Sequence, residues 1–454
     1  MGVLRIGIVL LLGLGACDKQ GSDPAGDGAD AATGDTSPGL DAGDDAEVPD
    51  ADGGQPDVPG ADSGDADGGP TCIFDCEGFE RACGDQCPVL SEFAIVVPSA
   101  GLPAQAPTQN ANNNLDVVWH QGRVFLAFRT APYHFADEDA TLHVVSSEDQ
   151  TRWRYEGSFH VASDLREPRF LSWDGRLWLY FAVLGTNPVR FEPQGMMVAE
   201  WTGTAQWTEP AWFHGEGFIP WRAKVIQGVP YLIAYVGGES IYELENPDPI
   251  RVSWLTTQNG VEWVPVVPDA PEVLVGGSSE TAFELLDDGS LIAVSRNEAG
   301  DPETGWGSKI CRADPDALAA WRCASDPRKY DSPLMFRQGD KVYLVARRNV
   351  TPSGNYDLGG DELEPQERTR RNLLDYSSKP KRCALWEVDP DAQSVTFLLD
   401  LPSRGDTCFP GIVRRDETTV TLYNYTSAID GLDVSWLGGQ GGHTYIYRVD
   451  VHFP

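Results

Sequence analysis

Basic residues are scarce in this chain of 454 residues: 34 Lys and Arg stand against 69 Asp and Glu, and the formal net charge is −35. Because partners with a phosphate backbone require clustered positive charge, this balance argues against nucleic-acid binding. The sequence also lacks a glycine-rich phosphate loop, a Ser-His-Asp order and a Cys-His nucleophile pattern. Hydrophobic residues, by contrast, make up 41% of the chain and aromatic residues 10%, which is enough for a large core.

The N-terminal residues MGVLRIGIVLLLGLGAC contain one arginine, an apolar run too short to span a bilayer comfortably, small residues and then Cys17. This is the arrangement of a secretory signal, here residues 1–16. The ending Leu14-Gly15-Ala16-Cys17 resembles the lipobox of bacterial lipoproteins, which implies cleavage before Cys17 and lipidation of its thiol. A plain signal peptide is the alternative. The resemblance implies a bacterial cell-envelope protein, at the outer membrane, the cell surface or the periplasmic face, whose membrane contact is the lipid on Cys17 alone.

Residues 17–70 consist mainly of Asp, Gly, Ala and Pro, with fifteen acidic residues and one base from Asp18 onward. Such a segment cannot bury enough apolar surface to fold, so we predict a disordered tether. Its DADGG-type runs lack the spacing of a calcium loop. No metal site and no cofactor is predicted anywhere in the chain.

Eight cysteines remain after Cys17, an even number in an exported chain. Four of them lie in a Cys-rich segment, residues 71–90, where an oxidising compartment favours two local disulfides over a zinc site. Among the three connectivities that four cysteines allow, we choose the nested one, Cys72–Cys87 with Cys76–Cys83. The other four cysteines predict the disulfides Cys311–Cys323 and Cys383–Cys408.

Residues 91–454 alternate apolar and polar side chains between Gly or Asp turns, which is typical of β-strands. Six apolar hairpins align by their turns, and the first five turn at glycines spaced 50 to 61 residues apart. The hairpins begin at Asp116, Glu167, Trp221, Glu280, Asp331 and Asp406. This period, with a second hairpin in most units, predicts an all-β fold, a six-bladed β-propeller, closed by an outermost strand at residues 93–97.

In a propeller, both ends of every inner hairpin meet at one face of the central channel. The hairpin starts place there Asp116, Arg166, Glu167, Trp221, Arg222, Lys224, Glu280, Asp331 and Asp406, and the hairpin exits place Arg129, Arg296, Arg347 and Arg348. Arginines at the exits of three blades favour a funnel that holds a carboxylate or sulfate of an acidic or polyhydroxylated sugar. The alternative is a charged rim that only solvates the channel.

Two turns, Ser147-x-Asp149-x-x-x-Trp153 and Thr257-x-Asn259-Gly-x-x-Trp263, resemble Asp boxes, in which an acid or amide caps a hairpin and Trp packs between blades. With the repeats, they make the chain similar to the sialidase-like superfamily of six-bladed propellers. The resemblance implies that Glu280 polarises a catalytic nucleophile and that Arg296, sixteen residues later, binds substrate. It also assigns a third substrate arginine to Arg347 or Arg348, and a catalytic acid to Asp137 or Asp139.

Two groups of that family have no counterpart here. Its first arginine falls near Asn112 and its nucleophilic tyrosine near Phe409, while Tyr423 and Tyr425 have a different register. The resemblance therefore implies a glycoside hydrolase rather than a true sialidase. A second resemblance, of LREPRF to five-bladed furanosidases, implies a mechanism that uses carboxylates only, from Asp116, Glu167 and Glu280.

These observations predict a monomeric protein that processes a glycan, or else a non-catalytic carbohydrate-binding or adhesion propeller. The catalytic candidates are Glu280, Asp139, Glu167 and Asp406, and the substrate-binding candidates are Arg129, Arg166, Arg222, Arg296, Arg347, Asp116 and Asp331. The long insertion at residues 351–380 is predicted to be a lid or specificity loop, with a disordered surface excursion as the alternative. His134 is either a proton donor or a structural residue.

Overall fold

The computed structural model describes residues 78–188, 190–238, 249–430 and 432–454. The signal, the tether, Cys72 and Cys76 lie outside the described residues. The described chain forms six antiparallel sheets of four or five strands, and each sheet is one blade. The six-bladed β-propeller is therefore confirmed.

The blades follow one another in chain order. Blade one contains β2 (Ala111–His120), β3 (Arg123–Ala131), β4 (Thr141–Ser147) and β5 (Arg154–Phe159). Blade two contains β6 (Asp164–Trp173), β7 (Arg176–Leu184), β8 (Pro193–Gly203), β9 (Gln206–Trp207) and β10 (Ala211–Phe213). Blade three contains β11 (Ile219–Ile226), β12 (Val229–Val236), β13 (Ile250–Thr257), β14 (Trp263–Pro265) and β15 (Leu274–Gly276).

Blade four contains β16 (Ser278–Leu285), β17 (Leu291–Asn297), β18 (Ser308–Ala313) and β19 (Arg322–Asp326). Blade five contains β20 (Asp331–Gln338), β21 (Lys341–Asn349), β22 (Lys381–Asp389) and β23 (Ser394–Asp400), with helix α1 (Pro365–Ser377) between β21 and β22. Blade six contains β24 (Gly411–Arg414), β25 (Thr419–Thr426) and β26 (Tyr445–His452), with the short helix α2 (Trp436–Gln440) before β26.

Strand β1 (Val89–Val97) comes first in the sequence but completes blade six, where it pairs with β26. The predicted closing strand is confirmed, and it is longer than the pattern indicated. Phe93 stacks on Tyr447 with ring centroids 5.1 Å apart. Just before β1, the backbone of residues 80–82 runs along β23, since Ala82 N donates to Leu398 O at 2.7 Å and Asp400 N donates to Glu80 O at 2.8 Å.

The inner hairpins turn where the glycines predict. In three of them both central residues have positive φ, for example Gln121 (46°) with Gly122 (80°) and Gln227 (50°) with Gly228 (83°). This is the backbone of a type I′ turn, whose twist matches that of the two strands it joins. In the outer hairpins, Asp149 and Asn259 each accept two backbone N–H groups of their own turns, at 2.8 and 2.9 Å.

The innermost strand of blades one to five has an irregular register near its start. The shifts fall between residues 113 and 115, 166 and 169, 220 and 222, 278 and 281, and 331 and 334. Asn114, Glu167 and Ser332, within three of these shifts, have φ between 39° and 52°. A bulge adds a residue to one strand and so changes the direction of the side chains around it. The same device is thus repeated around the channel, at the face where the charged residues lie.

The disulfide predictions have different outcomes. Cys311–Cys323 joins the outer strands of blade four, and Cys383–Cys408 joins blade five to the segment that precedes blade six. The nested pairing of Cys72–Cys87 and Cys76–Cys83 is wrong, because the structure bonds Cys83 to Cys87. A single 3-10 turn over Gly84–Gln86 reverses the chain between these two residues and brings their Cα atoms to 4.9 Å.

Among the described residues, no helix has the length and the apolar composition needed to cross a bilayer.

Candidate functional site

Two aromatic rings and two arginines from different blades pack against one another at the channel. The Arg169 guanidinium lies 4.4 Å from the ring centre of Phe409 and 4.8 Å from that of Trp221. Arg222 donates to the carbonyls of Pro333 (2.9 Å) and Pro410 (3.1 Å), in the innermost strand of blade five and just before that of blade six. Arg222, predicted to bind substrate, therefore ties blade three to the opposite side of the ring. Sequence reasoning missed Arg169, whose only signal was its place two residues after Glu167.

Glu280 and Arg296 lie side by side at the entrance and exit of the inner hairpin of blade four. Arg296 Nη1 is 2.8 Å from Glu280 Oε1, and Ser332 N donates to Glu280 Oε2 at 2.7 Å. Arg296 Nε is also 3.1 Å from Glu298 and 4.0 Å from Asp331. One guanidinium is therefore shared by three carboxyl groups.

The pKa values of Glu280 and Asp331 are shifted in opposite directions. Burial raises the pKa of Glu280 to about 7; the positive charge of Arg296 opposes this, and the charges of Asp331 and Glu167 reinforce it. Burial also disfavours ionisation of Asp331, but Lys329, Arg347 and Arg296 together outweigh it and hold the pKa of Asp331 well below its usual range. A carboxyl group that keeps its proton up to a pKa of about 7 thus lies next to one that stays ionised.

Glu167 contributes a third carboxyl group from blade two. Its Oε1 accepts a hydrogen bond from Asn114 Nδ2 at 3.2 Å, and its Oε2 lies 3.7 Å from Arg169. Burial raises the pKa of Glu167, against the positive charges of Arg169, Arg166 and Arg296. Glu167 and Glu280 therefore belong to one electrostatic cluster although they come from blades two and four.

Two of the predicted arginines share Asp164 but differ in exposure. Arg129 donates to Asp164 Oδ1 at 2.8 Å and to the carbonyls of Tyr133 and Phe135, and it is fully buried. Arg166 binds Asp164 Oδ2 and keeps 15% of its side chain exposed. Arg166 thus keeps part of its side chain exposed, whereas Arg129 holds the loop that follows β3.

His134 lies in that loop and contacts blade six. Its Nδ1 is 2.5 Å from Asp406 Oδ2, and Tyr425 Oη donates to Asp406 Oδ1 at 2.9 Å. Asp406 is fully buried, and burial disfavours its ionisation, but His134, Arg347 and the Tyr425 hydroxyl lower its pKa. The predicted catalytic residue Asp406 is therefore covered by His134 and Tyr425.

The insertion at residues 351–380 forms helix α1, so the alternative of a disordered excursion is wrong. Tyr376, on α1, packs with Trp306 and Tyr356, and its hydroxyl donates to Asp331 Oδ2 at 2.7 Å. Arg347 Nη1 donates to the same oxygen at 3.0 Å.

The alternative third arginine, Arg348, makes two bonds of 2.8 Å to Asp400 on β23 instead. Of the two arginines, the structure thus brings Arg347 into the cluster.

Two other predicted site residues, Asp116 and Asp139, form no ion pair with the charged side chains described above. Asp116 Oδ2 accepts a hydrogen bond from Phe170 N at 2.7 Å, which fixes it between blades one and two. Asp139 is exposed, and its hydrogen bonds in the described structure run through its backbone, including one from its N–H to Asp137 Oδ1 at 2.8 Å. Within the described ranges, no group of three or more His, Cys, Asp and Glu side chains is arranged to hold a metal ion.

Five titratable side chains at this face keep between 9% and 15% of their surface exposed. We call them the channel cluster: His134, Arg166, Glu167, Glu280 and Arg296. They come from blades one, two and four. Behind the channel cluster lie three buried residues that set the charge and orientation of its side chains: Asp331, Arg347 and Asp406.

The fold and the channel cluster define a six-bladed propeller with ionisable groups gathered at the starts of its inner strands. A protein of unknown function from Dyadobacter fermentans has a similar structure, with a TM-score of 0.55 and 14% identity over 81% of this chain and 99% of that one. A Trypanosoma rangeli sialidase in complex with the inhibitor DANA aligns with a TM-score of 0.49 and 11% identity, over 75% of this chain and 55% of that one. The endosialidase of phage phi92 aligns with a TM-score of 0.46 and 11% identity, over 75% and 66% of the two chains.

At these identities the likeness concerns the fold. The chain spans little more than half of the Trypanosoma rangeli sialidase. No protein-family model and no curated protein matches the sequence.

Proposed function

We propose that this chain is an exported, lipid-anchored glycoside hydrolase that acts on a polar or acidic sugar in the propeller channel. The observation that carries the proposal is the pair Glu167 and Glu280. Both lie at the starts of innermost strands, both remain partly exposed, and their charges interact. Two cations of the channel cluster, Arg166 and Arg296, lie beside them.

Glycoside hydrolysis requires one carboxyl group that gives a proton to the leaving oxygen and a second that faces the positive charge of the transition state. Glu280, with a pKa of about 7, retains a substantial protonated fraction at neutral pH and takes the first role. Glu167 takes the second role. Asp331, ionised behind Arg296, helps to keep the proton on Glu280.

The arginines give this site a preference for an acidic sugar. A guanidinium binds a carboxylate or sulfate through two parallel hydrogen bonds, and it keeps its charge at any physiological pH. Arg166 and Arg296 each keep part of the side chain exposed, 15% and 14% respectively. A uronic, sialic or sulfated sugar fits this chemistry better than a neutral one.

A non-catalytic sugar-binding propeller is the second candidate. Both carboxyl oxygens of Glu280 already have partners, Arg296 at 2.8 Å and Ser332 N at 2.7 Å. A carboxyl group held on both sides favours binding over proton transfer. In this alternative the channel cluster would recognise the same acidic sugar without cleaving it.

A screen of the chain on aryl glycosides, including aryl glucuronides and sialosides, distinguishes these candidates. We expect release of the aryl group by the wild type and a loss of about 100-fold or more in kcat for Glu280→Gln and for Glu167→Gln. Glu138→Gln, which removes an exposed carboxylate from the loop after β3, is the matched control. Full activity in Glu280→Gln would reject the site, and saturable binding without turnover would establish the second candidate.

Export and lipid anchoring rest on residues 14–17. In a bacterial expression host, the wild type should incorporate a labelled fatty acid and remain with the membrane fraction. Cys17→Ala should lose the label. Labelling that persists in Cys17→Ala would remove the basis for the anchor.

A further inference from the structure

The proposed function leaves one exposed titratable group of the channel cluster without a role, the His134 imidazole. We propose that His134 is a further catalytic residue of this site, which takes a proton from the attacking water through Nε2, and that Asp406 and Tyr425 are its positioning residues. This inference rests on the proposed hydrolase function and names its base.

Hydrogen bonding fixes the tautomer of His134. The Asp406 carboxylate can only accept, and it lies 2.5 Å from Nδ1, so Nδ1 carries the hydrogen. In the neutral ring the lone pair is therefore on Nε2. The other oxygen of Asp406 accepts from Tyr425 Oη at 2.9 Å, and Asp406 is fully buried. The carboxylate is thus held from both sides and cannot rotate away from the imidazole.

The second ring nitrogen of His134, Nε2, forms no hydrogen bond with any residue that the structure describes, and 13% of the side chain is exposed. The backbone of His134 is fixed on two sides: its N–H donates to Gln440 O at 3.2 Å, and its carbonyl accepts from the Arg166 side chain. A ring that is fixed by its backbone and by Nδ1, with Nε2 free, is the arrangement of a general base in which a carboxylate orients a histidine.

His134 and Glu280 approach the channel from opposite sides. His134 follows β3 in blade one, and Glu280 is on β16 in blade four, three positions away in a ring of six. A substrate in the channel therefore has a base on one side and the protonated Glu280 on the other. This is the arrangement that direct displacement by water requires.

The step is a hydrolysis, and water is the co-reactant. The water oxygen forms a bond to the anomeric carbon while one of its protons passes to His134 Nε2. The glycosidic C–O bond breaks, its electron pair goes to the leaving oxygen, and that oxygen takes the proton of Glu280. His134 ends as imidazolium beside the Asp406 carboxylate, and Glu280 ends ionised beside Arg296; the proton then returns from His134 to Glu280 through solvent.

The charges around His134 favour the neutral ring that a base requires. Burial lowers the pKa of His134, and the nearby guanidinium groups of Arg166 and Arg129 act in the same direction, whereas Asp406 raises it. The Tyr425 ring, whose centroid lies 6.0 Å from that of His134, and Arg347, which lowers the pKa of the partner Asp406, are further titratable groups near this histidine. Because the net pKa is below the ordinary histidine value, Nε2 is unprotonated at neutral pH.

The test is the pH dependence of kcat on the aryl glycoside that the wild type hydrolyses. We expect the wild type to lose activity on the acid side with an apparent pKa below 6.5, the ordinary histidine value. His134→Gln should lose this limb and about 100- to 10,000-fold in kcat, with a much smaller change in KM. His160→Gln, which removes an exposed histidine after β5, is the control and should keep the wild-type profile.

Two further variants separate catalysis from structure. Added imidazole should restore part of the activity of His134→Ala, which a merely structural role would not allow. Asp406→Asn should lower kcat because the amide can donate to Nδ1 and move the hydrogen to Nε2, and the thermal melt of each variant checks folding.

A folded His134→Gln variant with unchanged kcat would overturn the role of His134 and leave the hydrolase function standing. A wild type that cleaves no glycoside would overturn both.

Discussion

The raised pKa of Glu280 makes the free energy of unfolding depend on pH, and Glu280→Gln isolates this dependence. The folded protein holds the Glu280 proton up to a pKa of about 7, against an ordinary value of 4.5. A carboxyl group whose pKa is raised by folding stabilises the folded state fully below its unfolded pKa and loses that contribution as the pH rises through the folded pKa. At about 1.4 kcal/mol per pKa unit, the difference corresponds to about 3 kcal/mol between pH 4.5 and pH 7.5.

Gln keeps the shape of a protonated glutamate and does not titrate. Relative to the wild type, Glu280→Gln should therefore become more stable by about 3 kcal/mol as the pH rises over that interval. Urea unfolding of both proteins at pH 4.5, 6 and 7.5 measures the difference at each pH. If the two curves of stability against pH run parallel, Glu280 does not carry the raised pKa and the proton-donor role assigned to it fails.

Three further predictions concern other parts of the site and the fold. Asp331→Asn should destabilise the protein by about 3 to 5 kcal/mol at pH 7, because the buried cations around Asp331 lose their partner. Folding lowers the pKa of Asp331, so the difference in unfolding free energy between wild type and variant, measured by urea unfolding, should shrink as the pH falls below 3.8. Arg296→Lys should weaken calorimetric binding of methyl glucuronide about tenfold or more and leave methyl glucoside unaffected, because Lys cannot form the paired hydrogen bonds. Cys383→Ser should lower the unfolding free energy by about 2 to 4 kcal/mol, since the disulfide to Cys408 closes a loop of 25 residues. A wild type that is equally stable in reducing and in oxidising buffer would contradict this stabilising role of the disulfide.

The sequence allowed the fold to be predicted because turns and strand alternation are local signals. A glycine at the inner turn of blades one to five, with a polar residue before it, locates those hairpins, and their spacing indicates the blades. The pairing of Glu280 with Arg296 could also be predicted, since both lie at one end of a single hairpin.

Which side chains around the channel are exposed could not be predicted. The bulges near the starts of the inner strands change the alternation of side chains between the two faces of each strand. Arg129 and Arg166 both occur where the pattern predicts a channel arginine, yet one is fully buried and the other reaches solvent. Arg169 lies on aromatic rings from two other blades, which no local pattern indicates. Tyr376 reaches Asp331 from an inserted helix, a contact between segments 45 residues apart.

The closing strand has a mechanical consequence. Blades one to five are each built from one continuous stretch of chain, whereas blade six combines β24, β25 and β26 with β1 from the other end of the propeller, through the pairing of β1 with β26. Tension on the chain before residue 78 can reach this pairing only through residues 80–82. Residues 80–82 lie upstream of β1 and are anchored to β23 of blade five, so they take up the load before it reaches β1. A pull from the N-terminal side would therefore have to break these hydrogen bonds to blade five before it could separate β1 from the ring.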